Sequence, residues 1–342
     1  MADKENTSFS FDTDALAAYL EQHVEGFSGP LTAEKFAGGQ SNPTFMLSAA
    51  SGKYVLRRKP SGELLKSAHA VDREFKVISA LANTDVPVAK AYHLCEDDNV
   101  IGSMFYVMEY IDGRVMWDPA LPDETPSGRA AIYTEMNRVL AALHSVDIEA
   151  AGLSDYGRPG NYFERQVSRW STQYRASETE AIPEMEQLME WLPANMPADD
   201  GRVALAHGDF RLDNMMFHPS EPNVLALVDW ELSTLGHPFA DLAYQCMQLR
   251  MEHSGVMSGL GGVDRAALGI PSEEEYVAQY CERMGLEKIE HWNFYVVFSF
   301  FRFAAILQGV KKRALEGNAS SDKALQMGAL VKPLAERAVT LL

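Results

Sequence analysis

The feature that most constrains the fold is a pair of polar segments, each of which follows a short apolar run. The first segment reads His-Gly-Asp-Phe-Arg-Leu-Asp-Asn over residues 207–214 and comes after the apolar residues 203–206. The second reads Val-Asp-Trp-Glu over residues 228–231 and ends the apolar run 224–228. Short apolar runs with polar borders are typical of buried strands. The sequence therefore predicts two loops, rich in carboxylates and amides, that extend from rigid strands.

The spacing within these loops suits chemistry on phosphate groups. Asn214 lies five residues after Asp209, and Asp229 lies twenty residues after Asp209. In phosphoryl transfer the protein mainly positions the reactants and neutralises charge. We interpret Asp209 as the base for an acceptor hydroxyl, and Asn214 and Asp229 as oxygen ligands of Mg²⁺. This pattern predicts transfer of a phosphoryl group from ATP.

Both segments resemble the catalytic loop and the metal-binding aspartate of protein kinases, and the His-Gly-Asp order more closely resembles the aminoglycoside phosphotransferase-like family. The resemblance implies that Arg211 contacts the γ-phosphate. Gly208 stands where protein kinases with regulated activation loops carry an arginine, so control by loop phosphorylation is not expected. Only eleven residues separate Asp229 from Asp241, which favours a small acceptor over a peptide. We interpret Asp241 as a structural residue that holds the catalytic loop from the start of a helix.

A hairpin near the N-terminus offers a candidate phosphate loop. Residues 32–36 and 43–48 are predicted strands. The turn residues that would cover the phosphates are Gly38, Gly39, Gln40 and Ser41. Glycine backbone N–H groups can approach phosphate oxygens without interference from a Cβ atom. Taken alone, a Gly-Gly pair in a hairpin is usually only a turn.

The next predicted strand, residues 53–59, carries the candidate cation for the α- and β-phosphates. Alternation places Val55, Arg57 and Lys59 on one face. The kinase resemblance matches Arg57 to the phosphate-binding cation and Val55 to a wall of the adenine site, and it leaves Lys59 as a rival for the first role. The alternative interpretation of residues 57–59 is a solvated strand edge.

Glu74 is the candidate partner of Arg57. It lies in a predicted helix over residues 72–81. An arginine can form a bidentate pair with a carboxylate, and such a pair orients the guanidinium better than a lysine contact would. The alternative is an exposed glutamate on the helix surface.

Residues 105–113 fit the last strand of a small lobe that runs into a hinge. The backbone groups of Glu109, Tyr110 and Ile111 are the candidates for adenine binding. The predicted fold class is α+β, a protein kinase-like bilobal fold with a small, mainly β N-terminal lobe and a larger, mainly helical C-terminal lobe. The nucleotide-binding lobe would cover residues 1–110, and the catalytic and acceptor-binding lobe would cover residues 111–342.

Helical spacing dominates the rest of the chain. The predicted helices cover residues 13–24, 127–146, 162–175, 184–191, 239–250, 273–284, 291–313 and 324–341. The longest apolar stretch, residues 294–307, is interrupted by Ser299 and Arg302 and is too short to span a bilayer. We interpret it as the central buried helix of the larger lobe.

Composition narrows the classes of partner. The chain has 342 residues with 46% hydrophobic content, which is typical of a globular protein. A formal net charge of −18 argues against a nucleic-acid partner, which requires basic surface. No membrane partner is expected. The polar N-terminus does not resemble a signal peptide, and Cys95, Cys246 and Cys281 are interpreted as free, buried thiols in a reducing cytoplasm.

Three further segments, residues 54–62, 67–74 and 301–309, look like the subfamily found fused to, or encoded beside, acyl-CoA dehydrogenases. The resemblance implies a kinase of hydroxy acids or hydroxyacyl-CoA and a functional association with an acyl-CoA dehydrogenase. Arg165, Arg169 and Arg302 would suit an anionic acceptor group, whereas Glu231 and Asp213 would suit an amine. Two alternatives stay open. The first is phosphorylation of an aminoglycoside or another amino alcohol, and the second is a pseudokinase that binds nucleotide without turnover.

Overall fold

The computed structural model describes residues 11–36, 42–60, 70–317 and 323–342. The chain divides into two compact units. The first comprises Met1–Gly113 and Leu225–Glu231, and the second comprises Arg114–Val224 and Leu232–Leu342. The sequence placed a lobe boundary near residue 110 and did not assign the later segment to the first unit. The division into functional lobes therefore stays a prediction.

A five-stranded antiparallel sheet forms the body of the first unit. Its strands are β1 (Leu31–Lys35), β2 (Thr44–Ala49), β3 (Gly52–Arg58), β4 (Ala91–Cys95) and β5 (Phe105–Glu109). Their order is β1-β2-β3-β5-β4. In the central strand, Leu56 is fully buried and lies opposite Phe45 on one side and Val107 on the other. The sequence did not predict β4, in which four of the five residues are only half-buried and no clear alternation is visible.

Two helices accompany this sheet, α1 (Thr13–His23) and α2 (Val71–Leu81). The Asp12 carboxylate caps α1 by accepting hydrogen bonds from the first backbone N–H groups. Leu16 and Leu20 lie one turn apart on α1 and are fully buried in the core beside the sheet residue Leu47. Helix α2 directs Val77, Ile78 and Leu81 inward, and with them Glu74.

The second unit is mainly helical. Its helices are α3 (Pro126–His144), α4 (Tyr162–Ser177), α5 (Pro183–Ala194), α6 (Phe239–Arg250), α7 (Arg265–Leu268), α8 (Glu273–Met284), α9 (Trp292–Leu315), α10 (Ala324–Gly328) and α11 (Val331–Val339). Helix α9 packs against α4, α5, α6, α10 and α11. By length and composition, α9 is the one helix in the described ranges that could cross a membrane, yet 78% of its most apolar window is buried within the fold. The prediction of a central buried helix is confirmed.

One helix prediction was wrong. A single helix was predicted over residues 324–341, but the chain forms α10 and α11 with a break between Gly328 and Val331. Pro333 explains the break, because its ring would clash with the carbonyl group of residue 329 in a continuous helix. Gly328 also lies against α9, where an added Cβ atom would come within 2.6 Å of the Lys311 Cβ atom. Helix α7 was not predicted.

Short strands support the two polar segments. They are β6 (Arg114–Val115), β7 (Ala204–Ala206), β8 (Met215–Phe217), β9 (Val224–Leu227) and β10 (Thr234–Gly236). Strand β7 is buried along its whole length and pairs in antiparallel fashion with β10, with Ala206 opposite Thr234. Strand β6 pairs with β8. The two apolar runs seen in the sequence are thus strands, and β7 ends directly before His207. The three cysteines are free and buried, as predicted.

We expect Leu56→Ala to lower the free energy of unfolding by about 2 to 5 kcal/mol, because it removes a fully buried side chain and leaves a cavity in the sheet core. Urea unfolding followed by circular dichroism measures the change. Leu315→Ala is the matched control, since that leucine is 59% exposed and its truncation should change stability by less than about 0.5 kcal/mol. Equal effects of the two substitutions would contradict the assignment of β3 to the core.

Candidate active site

Arg57 lies between two carboxylates of the first unit. Its Nε atom is 2.8 Å from Glu74 Oε2, and its Nη2 atom donates to Asp229 Oδ1 at 2.7 Å. The Nε contact is a close ion pair without good hydrogen-bond alignment. The Arg57 side chain is only 13% exposed. The structure thus brings together Arg57 and Glu74, as predicted, and adds Asp229, whose contact with Arg57 was not predicted.

Glu74 has further donors around it. Asn42 Nδ2 donates to Oε1 at 2.6 Å, and the Tyr106 hydroxyl donates to Oε2 at 3.0 Å. Burial raises the pKa of Glu74, and the Arg57 guanidinium and the two hydrogen bonds oppose that shift. Burial alone would lower the pKa of Arg57, but the charges of Glu74 and Asp229 outweigh it and raise that pKa. The guanidinium is therefore charged at any physiological pH.

The alternatives of a solvated strand edge and an exposed glutamate are both wrong. Arg58 is 4% exposed and donates from Nε to the Ser103 hydroxyl, and Glu74 is 1% exposed. Val55 is buried next to them in β3. For Lys59, no ion pair is present within the described ranges, and its backbone N–H donates to Met104. The acidic partners thus surround Arg57 rather than Lys59.

The predicted hinge residues follow β5. The Glu109 N–H donates to the Lys90 carbonyl at 2.8 Å, and the Glu109 carboxylate accepts from the Lys90 N–H at 3.1 Å. The Glu109 N–H is therefore already bonded, which leaves the backbone of Tyr110 and Ile111 as the better candidates for adenine. The Tyr110 ring lies 5.1 Å from Lys53 Nζ. The predicted phosphate-loop residues Gly38, Gly39, Gln40 and Ser41 lie outside the described residues.

In the second unit, Asp241 holds the start of the candidate catalytic loop, residues 207–214. It lies in the first turn of α6, is 1% exposed, and accepts hydrogen bonds from the backbone N–H groups of His207 at 2.6 Å and Gly208 at 2.9 Å. Burial would raise the pKa of Asp241, but the hydrogen bond and charge of His144, the charge of His207 and the Gly208 N–H lower it. This is the structural role that the sequence predicted.

Residue 208 must be a glycine for two reasons, its backbone φ angle and the space around its Cα atom. Its φ angle is +84°, a region that residues with a side chain seldom adopt. A Cβ atom there would lie 2.6 Å from the Leu232 carbonyl oxygen. The loop therefore passes too close to its neighbour for any larger residue.

Asp209 follows Gly208 and is bonded at both carboxylate oxygens. The Tyr244 hydroxyl donates to Oδ1 at 2.9 Å, and Asn214 Nδ2 donates to Oδ2 at 2.9 Å. Asn214 Nδ2 also donates to the Asp209 backbone carbonyl. Because the Asn214 amide nitrogen is committed to Asp209, its Oδ1 atom is the one suited to a cation. The structure thus brings together the predicted base and one predicted metal ligand.

Arg211 lies beside the two carboxylates of the same loop. Its Nε atom is 3.7 Å from Asp209 Oδ2, and its Nη2 atom donates to Asp213. Burial raises the pKa of Asp213, while the Arg211 charge opposes the shift. Asp213 is therefore matched by a cation of the chain itself, which weakens the suggestion that it binds an amine of the acceptor.

Asp229, the other predicted metal ligand, has an unusual backbone. Its φ angle is +67°, a left-handed conformation that is uncommon for a residue with a side chain. The next residue, Trp230, is buried and donates from Nε1 to the Leu227 carbonyl, which secures the turn. Strained residues of this kind often occur at functional sites. The Asp229 side chain is 37% exposed.

Oxygen atoms of Asn214 and Asp229 are the hard donors that Mg²⁺ prefers, and Mg²⁺ usually takes only one or two protein carboxylates beside substrate phosphates. Within the ranges that the structure describes, no group of three or more His, Cys, Asp or Glu side chains is placed to hold a metal ion. The oxygen atom of each of these two residues is therefore of the type that Mg²⁺ takes as a ligand.

Sequence reasoning missed Tyr244 and misjudged Arg302. Tyr244 comes three residues after Asp241, so both lie on one face of α6, and that spacing was the available signal. Arg302, suggested for an anionic acceptor group, is 5% exposed and donates from Nη2 to the Gly208 carbonyl at 2.7 Å. It supports the catalytic loop, and that suggestion was wrong.

A family model described as the phosphotransferase enzyme family matches residues 32–282. The chain belongs to this family. The predicted family resemblance and the prediction of a phosphotransferase with a hydroxyl acceptor are confirmed. The matched region contains the predicted catalytic, nucleotide-binding and metal-binding residues. The roles assigned to those residues stay predictions.

Two curated relatives are much longer than this chain. Acyl-CoA dehydrogenase family member 10 of Mus musculus is 52% identical over 327 residues, which cover 95% of this chain and 30% of the relative. Acyl-CoA dehydrogenase family member 11 of Rattus norvegicus is 45% identical over 336 residues, which cover 97% of this chain and 43% of the relative. The chain thus spans less than half the length of these proteins.

Solved structures agree on the fold. A Ralstonia eutropha protein, provisionally described as an aminoglycoside phosphotransferase, is 54% identical with a TM-score of 0.90, covering 97% of this chain and 98% of that one. Spectinomycin phosphotransferase, solved with ADP and spectinomycin, is 15% identical with a TM-score of 0.65, covering 97% and 99%. The latter likeness concerns the fold alone. The predicted α+β, kinase-like fold class is confirmed.

We expect Asp241→Asn to lower the free energy of unfolding at pH 7 by roughly 1 to 3 kcal/mol, because an amide cannot accept both buried N–H groups. Since the folded-state pKa of Asp241 is depressed, its contribution is present above the unfolded aspartate pKa, about 3.9, and is lost as the pH falls through the folded value. The difference between wild type and variant should therefore shrink below about pH 4.

Urea titrations at pH 7 and at about pH 3 measure this difference. Asp123→Asn serves as the control, since Asp123 is exposed. A difference between wild type and Asp241→Asn that is the same at both pH values would contradict the role of the ionised carboxylate.

Proposed function

We propose that this protein transfers the γ-phosphoryl group of ATP, with Mg²⁺, to a hydroxyl group of a hydroxy acid or hydroxyacyl-CoA. The observation that carries the transfer chemistry is Asp209, bonded by Asn214 and Tyr244 in a loop held by Asp241. The acceptor class is supported by the identity, 52% and 45%, to segments of two proteins named as acyl-CoA dehydrogenase family members. A functional association with an acyl-CoA dehydrogenase follows from the same likeness.

In the proposed reaction Asp209 accepts the proton of the acceptor hydroxyl. The acceptor oxygen bonds to the γ-phosphorus, the bond from that phosphorus to the β–γ bridging oxygen breaks, and ADP leaves with the electron pair. Arg211 and Arg57 neutralise charge on the phosphates. Covering the phosphates is the role proposed from the sequence for Gly38 to Ser41, which lie outside the described residues. Asn214 and Asp229 would hold Mg²⁺, which neutralises phosphate charge when bound. Val55, Tyr110 and Ile111 would contact adenine.

A second candidate is phosphorylation of an aminoglycoside or another amino alcohol. It is favoured by the Ralstonia eutropha protein, which is 54% identical over nearly the whole chain and carries that provisional description. Against it, Asp213, one of the two carboxylates suggested for an amine, is paired with Arg211. The hydroxy-acid class is therefore the leading proposal.

The test is ADP release from Mg-ATP with a panel of 3- and 4-hydroxy acids, their CoA thioesters and aminoglycosides. We expect turnover with one hydroxyacyl class, and we expect Asp209→Asn to lower kcat by at least about a hundredfold because the base is lost, while ADP affinity is unchanged. Turnover of aminoglycosides alone would favour the second candidate. Nucleotide binding without turnover of any acceptor would indicate a pseudokinase, and full activity of Asp209→Asn would refute the base assignment.

A separate pair of variants distinguishes Arg57 from Lys59 as the phosphate-binding cation. Arg57→Lys keeps the charge but loses the fork that reaches both Glu74 and Asp229, so we expect ATP affinity to fall by about tenfold or more, the size of one charge-assisted hydrogen bond. Lys59→Met should change it by less than about threefold. Isothermal titration with a non-hydrolysable ATP analogue measures both, and the reverse ranking would assign the role to Lys59.

A further inference from the structure

Tyr244 touches the proposed base directly. It lies on α6, is 3% exposed, and donates its hydroxyl to Asp209 Oδ1 at 2.9 Å. Burial, followed by the charge of Asp209, raises the pKa of Tyr244, so the hydroxyl stays protonated and remains a donor. No other tyrosine hydroxyl is bonded to Asp209 in the described part of the chain.

The Tyr244 ring is itself held in place by a buried cation. The Arg302 guanidinium lies 5.3 Å from the centre of the Tyr244 ring and 5.8 Å from the centre of the Trp170 ring. The same guanidinium donates to the carbonyl of Gly208, the residue before Asp209. A cation over an aromatic face is attractive, more so when desolvated. Arg302 therefore connects the backbone of the loop to the ring that bonds the Asp209 side chain.

The two hydrogen bonds to Asp209 differ in what else their donors do. Asn214 bonds Oδ2 but is also a proposed ligand of the cation, so its amide serves two partners. Tyr244 bonds Oδ1 from a helix that also carries Asp241, the residue that fixes the loop backbone. Tyr244 is thus an anchor that does not depend on bound nucleotide or cation.

We propose that Tyr244 is a positioning residue that fixes the orientation of the Asp209 carboxylate, with Arg302 as its support, so that one Oδ2 lone pair is presented to the acceptor hydroxyl. This rests on the proposed role of Asp209 as base. With one oxygen bonded to Tyr244, rotation of the carboxylate about its Cβ–Cγ bond breaks a buried hydrogen bond. Small displacements of a reacting group can cost up to about a hundredfold in rate, so the orientation matters for turnover.

The test compares Tyr244→Phe with Tyr133→Phe. Tyr133 is an equally buried tyrosine of the second unit, and its hydroxyl donates to the Pro119 carbonyl at 2.7 Å, away from Asp209. Each substitution removes one hydroxyl and one buried hydrogen bond, so similar small decreases in Tm are expected. We expect Tyr244→Phe to lower kcat for phosphoryl transfer to the acceptor by about ten- to a hundredfold, with KM for ATP and uncoupled ATP hydrolysis unchanged. Tyr133→Phe should retain wild-type kcat.

Crystal structures of wild type and Tyr244→Phe give a readout that does not require turnover. We expect the Asp209 carboxylate of the variant to rotate or to occupy more than one orientation, with the loop backbone unchanged. An Asp209 carboxylate that keeps its orientation would overturn the proposal, as would equal losses of acceptor transfer and ATP hydrolysis, which indicate a general structural effect. If the wild type turns over no acceptor, the proposed function fails, and the crystallographic comparison still decides the role of Tyr244.

Discussion

The loop of residues 207–214 depends on one buried carboxylate, that of Asp241. Removing a carboxylate from water costs several kcal/mol, and only multiple hydrogen bonds can offset that cost. Two backbone N–H groups, of His207 and Gly208, supply hydrogen bonds at 2.6 and 2.9 Å. Bonds to a charged acceptor contribute about 1.5 to 3 kcal/mol each. The loop therefore cannot leave this conformation without exposing or orphaning a charge.

The hydrogen bonds to Asp241 also explain why residue 208 is a glycine. The hydrogen bonds to Asp241 hold the backbone of His207 and Gly208 against α6. In that position residue 208 contacts Leu232 and has no space for a Cβ atom of its own. The Gly208 carbonyl then accepts from Arg302. Both polar groups of a single residue are thus bonded to buried, charged side chains from two different helices. The backbone of the next residue, Asp209, is therefore fixed. The orientation of the Asp209 carboxylate then depends on the contacts of its side chain.

The sequence predicted helix bounds and the polar residues of the loop, but it did not predict contacts between residues that are far apart in the chain. The bounds of α6 and α8 were predicted to the residue from helical spacing. The structure shows a local signal at each end of α8, a capping box between Ser272 and Glu275 and Gly285 in a left-handed conformation. The carboxylates and amides of the loop were found from their spacing. The contact of Tyr244 with Asp209 spans 35 residues and that of Arg302 with Gly208 spans 94. The hydrophobic periodicity of a sequence does not predict such contacts, because they arise from the way helices pack against the loop.

The two ion pairs of Arg57, with Glu74 and with Asp229, differ in burial and therefore in how easily each pair can be broken. One guanidinium serves both Glu74 and Asp229, but the Glu74 side chain is 2% exposed and that of Asp229 is 37% exposed. A buried carboxylate that loses its cation has no solvent to replace it, so the pair with Glu74 is strongly favoured. An exposed carboxylate can exchange its partner for water or a ligand at little cost. Glu74 therefore fixes the position of Arg57, and Asp229 is the partner of Arg57 that solvent can reach.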